Sequence, residues 1–187
     1  MADPALPWRP EFLDALRMLA RLSEALAQRG LPRPVLVGGG AVEFYTGSAV
    51  MTGDIDVTSP VQPELEEELQ KIGFVRPSGP GTFTRGWIHP SLGLGFEVVG
   101  NSPMRDTPDE IRVRLVEPIE NEPAMRVLSL EDIIADRMGQ FASGTARDML
   151  DQAKKLLPLV SKPNRDYLDR RIRTETMGDY GVEDLDG

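Results

Sequence analysis

Cysteine is absent from the 187 residues, and histidine occurs once. The first absence removes disulfides, thiolate metal sites and cysteine nucleophiles together, and suits a reducing compartment. The second leaves His89, between Ile88 and Pro90, without a second imidazole to complete a zinc site, so it reads as structural. Aromatic residues make up only 6% of the chain, and Trp8, Trp87 and the methionines read as packing residues rather than a base-stacking surface. No apolar run is long enough to span a bilayer, and residues 1–10 lack the basic start and apolar core of a secretory signal. The expectation is a cytoplasmic protein with no membrane association.

A surplus of positive charge is lacking too. Thirty acidic against 21 basic residues give a formal charge of -9, so the surface as a whole repels phosphate backbones unless cations gather locally. They gather in one place. Arg147, Lys154, Lys155, Lys162, Arg165, Arg170, Arg171 and Arg173 stand against Asp148, Asp151, Asp166 and Asp169, a local balance of +4. Such a segment is either a solvated helical face or a platform for RNA or an acidic partner.

The remaining composition, 40% hydrophobic and 27% charged, is that of an ordinary globular chain with one well-buried core. Residues 11–29 place Phe12, Leu13, Leu16, Leu19, Leu22 and Leu26 at helical spacing, ended by Gly30 and Pro32. A short strand, Val35-Leu36-Val37, runs into Gly38-Gly39-Gly40, and a helix of about two turns follows through Phe44 and Tyr45. In the next strand Ile55 and Val57 face one side while Asp54, Asp56 and Thr58 face the other. Residues 63–72 read as a helix with an acidic start. Phe74-Val75, residues 82–88 and residues 92–99 read as strands of a meander added to the first two. Residues 111–116 and 125–128 are further strand candidates. Helices are expected over 129–141, capped by Ser129, over 146–157, and over 163–172; the end from Thr174 reads as a mobile or interaction tail.

Two segments carry chemistry. A strand that empties into consecutive glycines presents unshielded backbone N–H groups at a helix start, where a phosphate approaches closely. The run is not a dinucleotide fingerprint, because Glu43 stands where the third glycine belongs, and no Gly-Lys-Ser/Thr follows to make a P-loop. Asp54 and Asp56, two apart in a strand, project from one face with α-carbons roughly 6 to 7 Å apart. Like charges so placed repel unless a cation lies between them, and an all-oxygen ligand set with room for water and phosphate suits Mg²⁺. Glu97, alternating with Phe96 and Val98 on a later strand, completes the set if that strand pairs beside Asp54 and Asp56.

These segments resemble the DNA polymerase beta-like nucleotidyltransferase superfamily, whose mark is a strand, Gly-Gly or Gly-Ser, a short helix, then Asp-x-Asp and a later third acid. Val37-Gly38-Gly39-Gly40-Ala41 and Thr52-Gly53-Asp54-Ile55-Asp56 are similar to the small prokaryotic members of abortive-infection and toxin-antitoxin type. The stretch from Leu128 to Arg137, with the segment from Arg147 to Asp151, is similar to that group's helical half. Two positions depart from it: Val50 stands where an arginine is usual, removing one possible phosphate contact, and Arg137 stands where many have lysine.

The resemblance implies an α+β fold, a mixed, mainly antiparallel sheet flanked by helices with a C-terminal helical segment. Residues 1–128 would form the nucleotidyltransferase-like core, residues 129–173 helices packed on it, and residues 174–187 a flexible tail. It implies a Mg²⁺-dependent transferase that uses an NTP such as ATP and modifies a hydroxyl of RNA (tRNA among them), protein or a small molecule, in a toxin-antitoxin or phage-defence system. Asp54, Asp56 and Glu97 would be catalytic and metal ligands, Glu97 also the base, with Gly38, Gly39, Ser48 and Arg137 at the triphosphate. Two alternatives stay open: a catalytically silent binding module or antitoxin, and an antibiotic transferase acting on an aminoglycoside or lincosamide.

Overall fold

The computed structural model describes residues 7–77, 86–104, 111–144, 146–160 and 165–186. Helix α1 (Pro10–Gln28) starts with its proline in the first turn, where a missing N–H costs nothing, and buries Phe12, Ala15, Leu16, Leu19, Leu22 and Leu26 on one face. Each such leucine or phenylalanine contributes about 1.5–3 kcal/mol by leaving water. Strand β1 (Val35–Leu36) is only two residues long, because Val37 is already the N-cap of α2 (Gly38–Thr46). The glycine run is therefore the first turn of that helix, not a loop ahead of it. Gly47, left-handed at φ 57, closes its far end.

Strand β2 (Asp54–Thr58) alternates as its sequence requires, with Ile55 and Val57 buried and Asp54 and Asp56 half-buried. Helix α3 (Gln62–Lys71) follows and lays Leu65 and Leu69 into the core. It packs on α1, where Arg29 bonds Glu68 at 2.6 Å and Glu67 at 3.2 Å. Strands β3 (Gly95–Gly100), β4 (Val113–Val116) and β5 (Met125–Leu128) complete a mixed five-stranded sheet in the order β3-β2-β1-β5-β4.

The order of pairing differs from the expected meander. β3 lies parallel to β2, and β5 parallel to β1, while β1 and β2 run antiparallel. A parallel neighbour needs a crossover, and α3 lies between β2 and β3 in the chain. Antiparallel pairing survives as single bridges, Val75 with Ile88 and Trp87 with Phe96. Residues 82–85 of the strand expected over 82–88 lie outside the described residues.

The chain divides into two compact units, Met1–Pro103 with Leu115–Val127, and Met104–Arg114 with Leu128–Gly187. In the second, Ser129 caps α4 (Leu130–Ala142) by accepting from the Asp132 amide at 3.2 Å. Helices α5 (Met149–Leu156) and α6 (Arg165–Glu175) follow; Pro163, the expected start of α6, lies outside the described residues. α6 is tied to α4 through Asp132, which has no exposed surface and accepts from Tyr167 Oη at 2.8 Å, Arg171 Nε at 2.8 Å and Ser129 Oγ at 2.6 Å. The expected tail carries local structure: Val182–Leu185 form a 3-10 turn, the Val182 amide bonds Asp169, and Glu183 pairs with Arg173. Among the described residues, no helix is long and apolar enough to cross a membrane.

Candidate functional site

The register of β2 on β3 assembles three carboxylates. Asp54 lies opposite Gly95 and Asp56 opposite Glu97, so the alternation that sends Ile55, Val57 and Phe96 into the core sends Asp54, Asp56 and Glu97 to the other face. One carboxylate oxygen from each of the three lies within 4.8 Å of the others, all half-buried. That is a hard, all-oxygen donor set on rigid strands, open to further ligands on one side, and it fits a Mg²⁺-sized cation. Without a cation the three charges would repel.

The glycine turn presses against this cluster. Gly38 adopts φ +57, and a β-carbon there would overlap Asp56 Oδ2. Only glycine allows both the left-handed backbone and the approach. A β-carbon on Gly39 would come within 2.6 Å of Thr52 Oγ1, and one on Gly40 within 2.8 Å of Leu36 Cδ1. The Val37 amide donates to the Asp56 carbonyl at 3.0 Å, fixing the turn to the strand that bears the acids. The first turn of α2 thus opens beside the carboxylates, with N–H groups that have no acceptor within the helix.

Ser48 and Arg137 stand differently from the glycines. Ser48, at φ 64, donates its hydroxyl proton to Glu43 Oε1 at 2.8 Å and accepts from the Arg9 amide at 3.1 Å. Its hydroxyl is committed to that contact rather than turned to a triphosphate. Arg137 belongs to the second unit, where it is 5% exposed, bonds Asp136 at 2.8 Å and approaches Met149 Sδ at 3.1 Å. Its Nε has no acceptor among the described residues.

Glu43, which the sequence shows only as an acid within Ala41-Val42-Glu43-Phe44-Tyr45, is a part of the site's framework that patterning missed. It has no exposed surface. Its Oε2 accepts from the Thr52 amide at 2.6 Å, and its carboxylate pairs with Arg9, Nε to Oε1 at 2.7 Å. Burial alone would push this carboxyl up; the bonds from Arg9, the Thr52 amide and Ser48 together outweigh it and hold the group below the usual carboxylate range. A charged residue centred in an apolar helical run was the available signal.

Three cations of the basic segment, Arg165, Arg171 and Arg173, are held by carboxylates. Arg171 is wholly buried between Asp132 and Glu175, Arg173 pairs with Asp169 and Glu183, and Arg165 pairs with Asp186. Lys162 lies outside the described residues, and Arg147, Lys155 and Arg170 are exposed. His89 bonds the Ile72 carbonyl at 3.1 Å and packs tilted against Phe74, while Trp8 stacks on Phe44 and donates to its carbonyl.

No protein-family model and no curated protein matches this sequence. Among solved structures, an antigenic nucleotidyltransferase-like protein from Paracoccidioides brasiliensis superposes with a TM-score of 0.58 at 16% identity, covering 89% of each chain. The antibiotic-resistance factor ANT(2'')-Ia, in its solution structure, aligns at a TM-score of 0.47 and 20% identity, over 92% of this chain and 88% of its own. The fold, a mixed five-stranded sheet flanked by helices, is therefore nucleotidyltransferase-like.

Proposed function

We propose that this protein is a Mg²⁺-dependent nucleotidyltransferase that moves a nucleotidyl group from an NTP to an acceptor hydroxyl. The observation that carries the reading is the convergence of Asp54, Asp56 and Glu97 within 4.8 Å of one another, against the Gly38 turn. Asp54 and Asp56 would hold the metal jointly, with Glu97 as the third ligand. Bound Mg²⁺ would neutralise triphosphate charge and lower the pKa of the acceptor hydroxyl. The N–H groups opening α2 at Gly38 and Gly39 would receive phosphate oxygens, which no side chain there obstructs. Glu97 would take the acceptor's proton as its oxygen forms a bond to the α-phosphorus; the bond from that phosphorus to the bridging oxygen breaks, and pyrophosphate leaves.

The setting that goes with this reading is a cytoplasmic defence or toxin-antitoxin pair, with RNA, a protein or a small molecule as acceptor. Purified protein, Mg²⁺ and each α-labelled NTP, incubated with cell lysate, should give label that moves to an acceptor and is lost in Asp54→Ala/Asp56→Ala. Label that moves equally well in that double variant, or never moves, rules the enzyme out. A silent binding module is the reading that Val50 favours, and calorimetry with ATP and Mg²⁺ separates it: metal-dependent nucleotide binding without transfer identifies it.

A further inference from the structure

Asp54 is the first residue of β2, and its hold on the sheet is one-sided. It pairs with Gly95 of β3, whereas the β1 pairing covers only Val57 and Thr58 of this strand. Gly53, immediately before it, has nothing within 4 Å of where a β-carbon would lie, so nothing packs there to restrain the chain. A carboxylate at a strand end, facing two others within 4.8 Å, is pushed outward by their charge unless something upstream holds it. Thr52 is that upstream point. Both of its backbone groups are fixed by one ion pair, half-buried at Arg9 and wholly buried at Glu43: its amide donates to Glu43 Oε2 at 2.6 Å, and its carbonyl accepts from Arg9 Nη2 at 2.6 Å.

We propose that Glu43 and Arg9 form a clamp that positions Asp54 for metal binding, acting through Thr52; the inference rests on the metal role proposed above for Asp54. Thr52 Oγ1 transmits the position in two directions, donating to Asp54 Oδ1 at 3.5 Å and filling the space where Gly39 lacks a side chain. The acid-bearing strand and the glycine turn are thereby set by the same residue. The loop between helix and strand is closed against Glu43 as well, through Ser48 Oγ at 2.8 Å and the Ser48 amide on the Glu43 carbonyl at 3.2 Å. A buried ion pair is weak evidence of stabilisation, since desolvation offsets most of its attraction, and an apolar pair would fill this volume. An apolar pair would leave the Thr52 amide and carbonyl unheld. What the charges supply here is a fixed place for that peptide.

The test uses the full chain and Mn²⁺ alone, with binding followed by the loss of the free-ion paramagnetic resonance signal and a melting curve for every variant. Asp54→Asn should abolish binding, and Glu43→Gln should weaken it by about 10- to 100-fold, the usual effect of removing an outer-sphere partner. Thr52→Val should weaken it by a few-fold. Leu69→Ala, which destabilises the same unit from α3, should leave the affinity unchanged, so that general loosening is separated from positioning. The clamp is overturned if Asp54→Asn loses Mn²⁺ while Glu43→Gln and Thr52→Val bind as the wild type does, or if Leu69→Ala weakens binding as much as they do. If Glu43→Gln does not fold, Thr52→Val and Arg9→Gln decide by the same criterion. Wild-type Mn²⁺ binding that ignores Asp54→Asn instead removes the metal site itself, and is recognised by that variant alone.

Discussion

Glu43 shows how a single residue couples the framework to pH. Its folded-state carboxyl binds a proton less tightly than its ordinary value of 4.5, so the folded state gains from its ionisation. That gain is complete above the ordinary value and fades as pH falls through the lowered folded-state value. The stability difference between wild type and Glu43→Gln, from urea titrations, should therefore stay constant from about pH 7 to about pH 5 and shrink at lower pH. A difference that grows on acidification would contradict the assignment. Asp54 and Asp56 were readable beforehand because strand alternation fixes which side chains share a face, and aspartate is disfavoured in strands without a reason; Glu97 joins them only through the β2–β3 pairing, which alternation does not give. Glu43 was not readable as part of the framework: its importance lies in a loop nine residues away that folds back to give it Thr52, and no periodicity encodes that return. The Ser48 backbone at φ 64 turns its hydroxyl to Glu43, a contact that no periodicity encodes either.

At the scale of elements, periodicity located α1, α3 and α4 to within a residue or two, because their apolar positions repeat and their ends carry Pro, Gly or Ser. It could not supply the partner or direction of a strand. β3 alternates equally well beside β2 in either sense, and its parallel placement comes from the crossover through α3. The join of α4 to α6 was hidden too, since Asp132 reads locally as part of a capping box while its carboxylate also accepts from Tyr167 and Arg171. Removing that carboxylate strands a wholly buried guanidinium, so Asp132→Ala should cost about 3–5 kcal/mol in urea unfolding. Tyr167→Phe, which deletes only the hydroxyl donor to a charged acceptor, should cost about 1.5–3 kcal/mol. If the tyrosine change were the more damaging, the hydroxyl bonded to Asp132, and not the Arg171 guanidinium, would be the stronger tie.

Over the whole molecule, charge decides which acceptors are plausible. The formal charge of -9 repels a polyphosphate chain, and in the one segment with a local surplus Arg165, Arg171 and Arg173 are held by Asp186, Asp132 and Asp169. A guanidinium buried against Asp132 releases no counterions from RNA, because it is never presented to a phosphate. Among the described residues, the exposed cations of that segment outside those pairs, Arg147, Lys155 and Arg170, would give three phosphate contacts, a slope of log affinity on log salt of about -2 at about -0.7 per contact. Fluorescence anisotropy of a labelled single-stranded RNA should therefore show weak binding, with a shallow salt slope that changes little in the triple glutamine variant of those residues. A steep slope that falls by about 2 in that variant would restore the segment as an RNA platform. The expected shallow slope instead directs the search for an acceptor toward a protein or a small molecule, whose hydroxyl needs no phosphate track to reach the Asp54 cluster.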